Sequence, residues 1–341
     1  MGSSRNPGSI VILETYWLRG DIAQQDGFLI ELVNVDRDRG RPRIRKLRGS
    51  MRIATWNVNS LKARLEKVRW WLDRAKPDVL LMQETKLADA AAPGDFFRET
   101  GYTFAHHGEG RWNGVAIASR CGIKAIVTNF GEPLRRPEAP DVADDEPLAE
   151  ARMISAVCGA IRFVSLYAPN GRVVGSHFYE AKLLWYDRVA RWLAEAVDPK
   201  DPLVLGGDFN VAPEDLDVWD PQACQGGTHV STAERQAFAR LCDWGLVDAY
   251  RLYHPEAGRY TWWDYRAGNF HKNFGMRIDH LLVTAPVRER TVWAEIDREA
   301  RKGKPLPSDH APLVIDLDKA GHAFDAGWAA AEARIAARRR R

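Results

Sequence analysis

Cysteine is scarce in this chain of 341 residues: there are four, at Cys121, Cys158, Cys224 and Cys242, with no C-x-x-C pair and no histidine at zinc-ligand spacing. That excludes a disulfide-stapled scaffold and a zinc ribbon, and leaves reduced, partly buried thiols as the expectation. Long apolar runs are missing too. None approaches the roughly 18–20 residues that a bilayer-spanning helix requires, and the patch at 10–13 is too short and wrongly flanked for a signal peptide. With 45% hydrophobic and 28% charged residues, the chain can bury a large core and is not disordered throughout. We expect a cytoplasmic protein of one large or two average domains.

Neither sign of charge predominates overall, but the distribution is uneven. Residues 1–50 carry nine basic and six acidic side chains, residues 319–341 carry six and two, and residues 51–318 hold 34 basic against 38 acidic. Both ends are basic around a slightly acidic centre. Such ends either engage phosphates or are simply solvated. The thirteen tryptophans suit a large core or stacking faces, and composition does not choose between them.

Three regions follow. In residues 1–50 a short strand pair is possible at 9–17 and 27–35, before an arginine-rich run of alternating charge at 36–48. That run has little to bury and reads as a basic, disordered extension. At Met51 the texture changes. Residues 51–58, 79–82, 114–119, 123–128, 153–158, 161–167, 203–206, 277–283 and 311–317 read as strands. Residues 61–73, 177–196 and 232–244 have apolar side chains at helical spacing. Residues 132–150, rich in proline and acid, read as a surface loop. Strands in both halves with helices between them predict an α/β fold in 51–318: two packed mixed β-sheets flanked by helices. Residues 319–341 read as a basic Ala/Arg-rich tail with helical propensity.

Polar side chains follow several apolar strands directly: Trp56-Asn57, Gln83-Glu84, Gly207-Asp208-Phe209-Asn210 and Ser308-Asp309-His310. Arg277-Ile278-Asp279-His280 sets an acid within a strand. One Asp after a strand is commonly a cap or turn residue. Several emerging at strand ends can converge on one cleft. Glu84, Asp208 and Asp309 would offer the hard oxygens that Mg²⁺ prefers, and Asp279 would fix the tautomer of His310.

At these positions the sequence resembles a known family. Trp56-Asn57-Val58-Asn59, Leu81-Met82-Gln83-Glu84-Thr85-Lys86, Tyr167-Ala168-Pro169-Asn170-Gly171, Gly206-Gly207-Asp208-Phe209-Asn210, Arg277-Ile278-Asp279 and Ser308-Asp309-His310-Ala311-Pro312 match in order and spacing. They look like the exonuclease III branch of the endonuclease/exonuclease/phosphatase family, over residues 51–318. Leu216-Asp217-Val218-Trp219 and Thr261-Trp262-Trp263-Asp264-Tyr265-Arg266 favour that branch over lipid or inositol phosphatases.

The resemblance implies a four-layer, DNase I-like sandwich. It further implies a Mg²⁺-dependent DNA repair nuclease, with Mn²⁺ as a substitute, that cuts 5′ to abasic sites, degrades duplex DNA from 3′ ends and removes blocked 3′ termini. It makes Glu84 the principal metal ligand, with Asn57, Asp208, Asn210, Asp309 and His310 nearby. Tyr167, Asp208, Asn210, Asp279 and His310 become catalytic, and Asn170 binds the phosphate. Which of Asp208 and His310 is the base stays open. Trp262, Met276 and Ile278 would border a pocket for a base-less deoxyribose, too small for a base. Adjacent residues on a strand point to opposite faces, so at most one of Trp262 and Trp263 lines the cleft. The partner would be duplex DNA, met by a nucleoid-associated monomer with no membrane contact. Two alternatives stand: a phosphomonoesterase or lipid phosphodiesterase of the same fold, and a non-catalytic DNA-binding module. The Trp262 to Arg266 segment speaks against the first, and the full set of polar positions against the second.

Overall fold

The computed structural model describes residues 49–131 and 150–339. The strand pair expected in 9–35, the arginine-rich run 36–48 and the loop expected at 132–150, except its last residue, lie outside them.

The strands β1 (Met51–Asn57) and β2 (Val79–Gln83) are buried along their whole length, as continuous apolar runs covered on both faces must be. They pair in parallel, with the helix Leu61–Ala75 as crossover. The edge of this sheet continues through β3 (Thr103–His107) and β4 (Val115–Ser119). A second sheet holds β5 (Lys124–Thr128), β6 (Met153–Cys158), β7 (Ile161–Tyr167) and β8 (Leu203–Asp208). Here β7 and β8 are parallel, and the helix His177–Ala196 crosses between them. β9 (Val247–Asp248) and β10 (Asp279–Val283) finish this sheet, while β11 (Thr291–Ile296) and β12 (Leu313–Leu317) return to the first. The orders are β11-β12-β1-β2-β4-β3 and β5-β6-β7-β8-β10-β9. Two α/β sheets with the same internal plan thus pack face to face, as the sequence predicts.

Side-chain alternation assigns the layers. Ile53, Leu81, Phe163, Val204 and Leu281 share the core between the sheets. Their neighbours Ala54, Trp56, Leu80 and Met82 face outward against Val68, Trp71 and Leu72 of the first crossover helix. On the other outer face, Val164, Leu166, Leu203 and Leu205 meet Trp185, Tyr186 and Val189 of the second crossover helix, together with Phe238 and Leu241 of the helix Thr232–Asp243. Between the sheets at Gly206 there is no room for a side chain, since a Cβ would stand 2.7 Å from Leu81 of the facing sheet and 2.6 Å from Leu281 of its own. Any larger residue there would force them apart. A buried polar clasp also ties them: Gln83 Nε2 donates to Ser165 Oγ at 3.0 Å, and Ser165 Oγ donates to Met82 O at 3.0 Å.

Some expectations shift. β3, β9 and β11 are additional strands. Trp262 and Trp263 do not lie on a strand, since Trp262 makes only isolated bridges, to Met276 and to His310. β10 begins at Asp279 rather than at 277, where the Arg277 guanidinium turns aside to Asp217 at 2.7 Å and Asp248 at 2.6 Å. The segment expected as a tail is packed at its start. Trp328, on the helix Trp328–Arg339, is buried in the central core, and its indole donates to Ile296 O at 2.7 Å. The four cysteines are free. Among the described residues no helix is long and apolar enough to cross a membrane.

Candidate active site

The carboxyl ends of four parallel strands open on one edge of the sandwich, and each presents a polar group. Asn57 closes β1, Glu84 follows β2, Tyr167 closes β7 and Asp208 closes β8. The antiparallel neighbours begin where these strands end. Asp279 opens β10 directly opposite Asp208, and Asp309 and His310 precede β12, the partner of β1. Sequence-distant residues converge because both parallel pairs point the same way, which is where sites in α/β sheets form.

One amide joins the two sheets. Asn57 Nδ2 donates to Glu84 Oε1 at 2.7 Å and to Asp208 Oδ2 at 2.9 Å, so one side chain holds two carboxylates at a shared focus. Glu84 has a left-handed backbone, φ 52°, uncommon for a non-glycine residue and frequent at functional sites. Asn210, also left-handed at φ 50°, is pinned by its own N–H to Asp208 Oδ1 at 2.9 Å and by its amide to Ala168 O at 2.9 Å. Gly207 before it is irreplaceable, because a Cβ there would meet Leu166 O at 1.9 Å.

Asp279 and His310 form the expected acid–imidazole pair, Oδ2 to Nδ1 at 2.8 Å. His310 Nε2 lies 3.8 Å from Asp208 Oδ2. Burial alone would lower the imidazole, but Asp279 and then Asp208 hold its proton and push it up to about 10. Asp208 is pushed up to about 7, first by burial and then by repulsion from Asp279, against the opposing pull of His310. Asp279 Oδ1 is buried without a hydrogen-bond partner. Burial and the facing Glu84 carboxylate raise the Tyr167 hydroxyl well above its usual range, which keeps it a neutral donor.

Ligand atoms of Glu84, Asp208 and His310 lie within 4.8 Å of one another. Two carboxylates at this spacing fit a hard divalent cation, which would relieve the repulsion that raises Asp208. Asp309 stands apart from this trio. Burial would raise its carboxyl, but His310, Asn59 and Trp262 hold it below its usual range. Asn59 donates to one oxygen at 2.8 Å and the Trp262 indole to the other at 3.2 Å.

The remaining expected residues fall nearby. Asn170 donates to Asn210 Oδ1 at 3.3 Å. Trp262, Met276 and Ile278 lie in one small apolar cluster with Ala212 and Val218. Trp263 is wholly buried in the main core, so only Trp262 is placed at the cleft. Two neighbours had no assigned role. Lys86 Nζ reaches Glu84 Oε2 and Asn59 Oδ1, each at 2.7 Å. Asn59 and Lys86 both stand in matched motifs, but each acts across a strand end, a direction that spacing does not reveal.

The model of the Endonuclease/Exonuclease/phosphatase family matches residues 54–310. The exodeoxyribonuclease III of Haemophilus influenzae is 31% identical over 279 residues, covering 78% of this chain and all of that protein. A solved AP endonuclease from Archaeoglobus fulgidus is 36% identical with a TM-score of 0.72, covering 79% of this chain and all of its own. A 3′ phosphatase from Neisseria, bound to a product DNA hairpin, is 35% identical with a TM-score of 0.71 and the same coverage. With its paired sheets, its acid–imidazole pair and full-length relatives of these kinds, the chain belongs to the endonuclease/exonuclease/phosphatase family, and within it to the exonuclease III branch of DNA repair nucleases.

Proposed function

We propose that this enzyme hydrolyses phosphodiester bonds 5′ to abasic sites in duplex DNA, degrades 3′ ends in the 3′ to 5′ direction and clears blocked 3′ termini. It would work as a monomer on nucleoid DNA, with Mg²⁺ as its ion and Mn²⁺ as a substitute. The observation that carries this reading is the focus of Asn57, Glu84, Asp208 and His310 where strands of both sheets end.

A phosphodiester repels an incoming nucleophile, so its charge must be offset. Glu84 and Asp208, with Asn57 between them, would hold Mg²⁺, which when bound supplies positive charge against the phosphate and the leaving oxygen. Asp208, 3.8 Å from His310 Nε2, would orient the attacking water and receive its proton. His310, kept protonated by Asp279, donates to a phosphate oxygen from Nε2. Asn210, Asn170 and the Tyr167 hydroxyl add neutral donors around the same charge. Trp262, Met276 and Ile278 would accept an extruded sugar that carries no base.

Digestion of a duplex with a single abasic analogue, with and without Mg²⁺, tests this. Incision directly 5′ to the lesion, only with the ion, is expected. Parallel inositol phosphate substrates should stay intact, and their turnover in place of DNA would favour the phosphatase reading. A duplex ending in a 3′ phosphate belongs in the same assay, because one relative is a 3′ phosphatase. Removal of that phosphate without any abasic incision would restrict the activity to 3′ ends.

A further inference from the structure

Lys182, on the helix His177–Ala196, and Glu234, on the helix Thr232–Asp243, are both fully buried behind the cleft. Burying such charges is costly unless every hydrogen-bonding position is met. Here it is met. Lys182 has three protons and three acceptors: Glu234 Oε1 at 2.5 Å, Asn210 O at 2.7 Å and Asn170 O at 3.3 Å. The same two carbonyls receive further donors, Thr228 Oγ1 on Asn170 O at 3.0 Å and His229 Nδ1 on Asn210 O at 2.6 Å. Glu234 Oε1 in turn accepts from His229 N at 2.9 Å and shares with Asn170 O the single proton of Thr228 Oγ1, 2.8 Å away, while Oε2 accepts from Ser231 N at 3.1 Å and Ser231 Oγ at 2.7 Å.

We propose that Lys182 and Glu234 are positioning residues that fix Asn170 and Asn210 in the cleft through their main-chain carbonyls. The assignment rests on the nuclease reading above, in which those asparagines face the scissile phosphate. Neither charged residue reaches the cleft itself. An ion pair this deep adds little to stability, since apolar residues of similar volume often do as well. What it does supply is a rigid link between two loops that end on different strands. Asn210 holds a left-handed backbone, and its carbonyl lies 2.7 Å from Lys182 Nζ. A shift of about 1 Å in a group facing the reacting phosphate can cost 100-fold in rate.

The test is the double variant Lys182→Met/Glu234→Gln, which removes both charges together and leaves no unpaired ion. Its melting temperature should stay close to that of the parent. Its kcat on abasic duplex should fall by about 10- to 100-fold, with KM changed by less than roughly threefold. In an Asn170→Ala/Asn210→Ala background the same double variant should cause no further loss, because the carbonyls remain but carry no amide to aim. Unchanged kcat, or a full additional loss in that background, would overturn the proposal. Should the double variant fail to fold, Thr228→Val is read instead; a several-fold drop in kcat supports the proposal and parental kcat contradicts it. If the parent itself leaves abasic DNA intact, the nuclease reading fails on its own. The pair is then judged by the side-chain amide resonances of Asn170 and Asn210, which should move in the double variant and would stay in place if the pair were merely structural.

Discussion

His310 Nδ1 lies 2.8 Å from Asp279 Oδ2, while its other ring nitrogen faces Asp208 at 3.8 Å. The imidazole therefore stands between two buried carboxylates, and in the proposed mechanism Asp279 acts through His310. His310→Ala should lower kcat more than Asp279→Asn does. The double variant should be scarcely slower than His310→Ala alone, because members of one catalytic unit are not additive. Single-turnover cleavage of abasic duplex measures all three, and fully additive losses would mean that the two residues act separately.

The crowding of charge also predicts how metal and pH combine. Asp208 is raised from an ordinary 3.8 to about 7 by burial and by Asp279. A carboxyl raised in the folded state favours folding while it is protonated, and this advantage is lost as pH climbs from about 4 to 7. Above that range the ionised group burdens the ion-free fold, and a divalent cation relieves it. The gain in melting temperature on replacing chelator with Mg²⁺ should therefore widen between pH 5 and pH 8. A gain that shrinks over that interval would count against Asp208 as a ligand.

Trp262 would make two separable contributions at the proposed sugar pocket. Trp262→Phe keeps a ring but removes the indole donor to Asp309, whereas Trp262→Ala removes both. If the ring borders the pocket, the Phe variant retains most of kcat/KM on abasic duplex and the Ala variant loses about tenfold or more. Equal losses in both would assign the effect to the Asp309 contact.

The helix Trp328–Arg339 anchors through its first residue. Trp328 is buried beside Trp263 and covers the Arg298 guanidinium, 5.7 Å from its ring. Trp328→Ala should destabilise the fold by about 3–5 kcal/mol, read by chemical denaturation. A chain ending at Asp318 should melt lower still. Parental stability in both would mean that this helix is a bystander.

Much of this could be read from sequence because the buried strands are continuous apolar runs, as at 79–82 and 203–206, each followed at once by an acid or amide. The edge strands were harder to read. β3, Thr-Phe-Ala-His-His, is partly exposed, so neither alternation nor continuity marks it. β11 carries Val292 outward and lies in a stretch of mixed charge. The residues proposed for the sugar pocket are recognisable only through resemblance, since Met276 and Ile278 on their own are ordinary core side chains. Lys182 and Glu234 were invisible for a different reason. On a helix each reads as a solvated face, and nothing in the spacing shows that the two helices turn these faces to each other.

In the proposed function Glu84 and Asp208, bridged by the Asn57 amide, hold a divalent cation for phosphodiester cleavage, with His310 beside it. Glu84→Gln tests this claim most directly, because the amide keeps the shape and loses the charge. Cleavage of abasic duplex across a Mg²⁺ titration should fall by about 100-fold or more, with the melting curve in chelator unchanged and any residual activity shifted to higher Mg²⁺. Near-parental turnover at low millimolar Mg²⁺ would contradict the account.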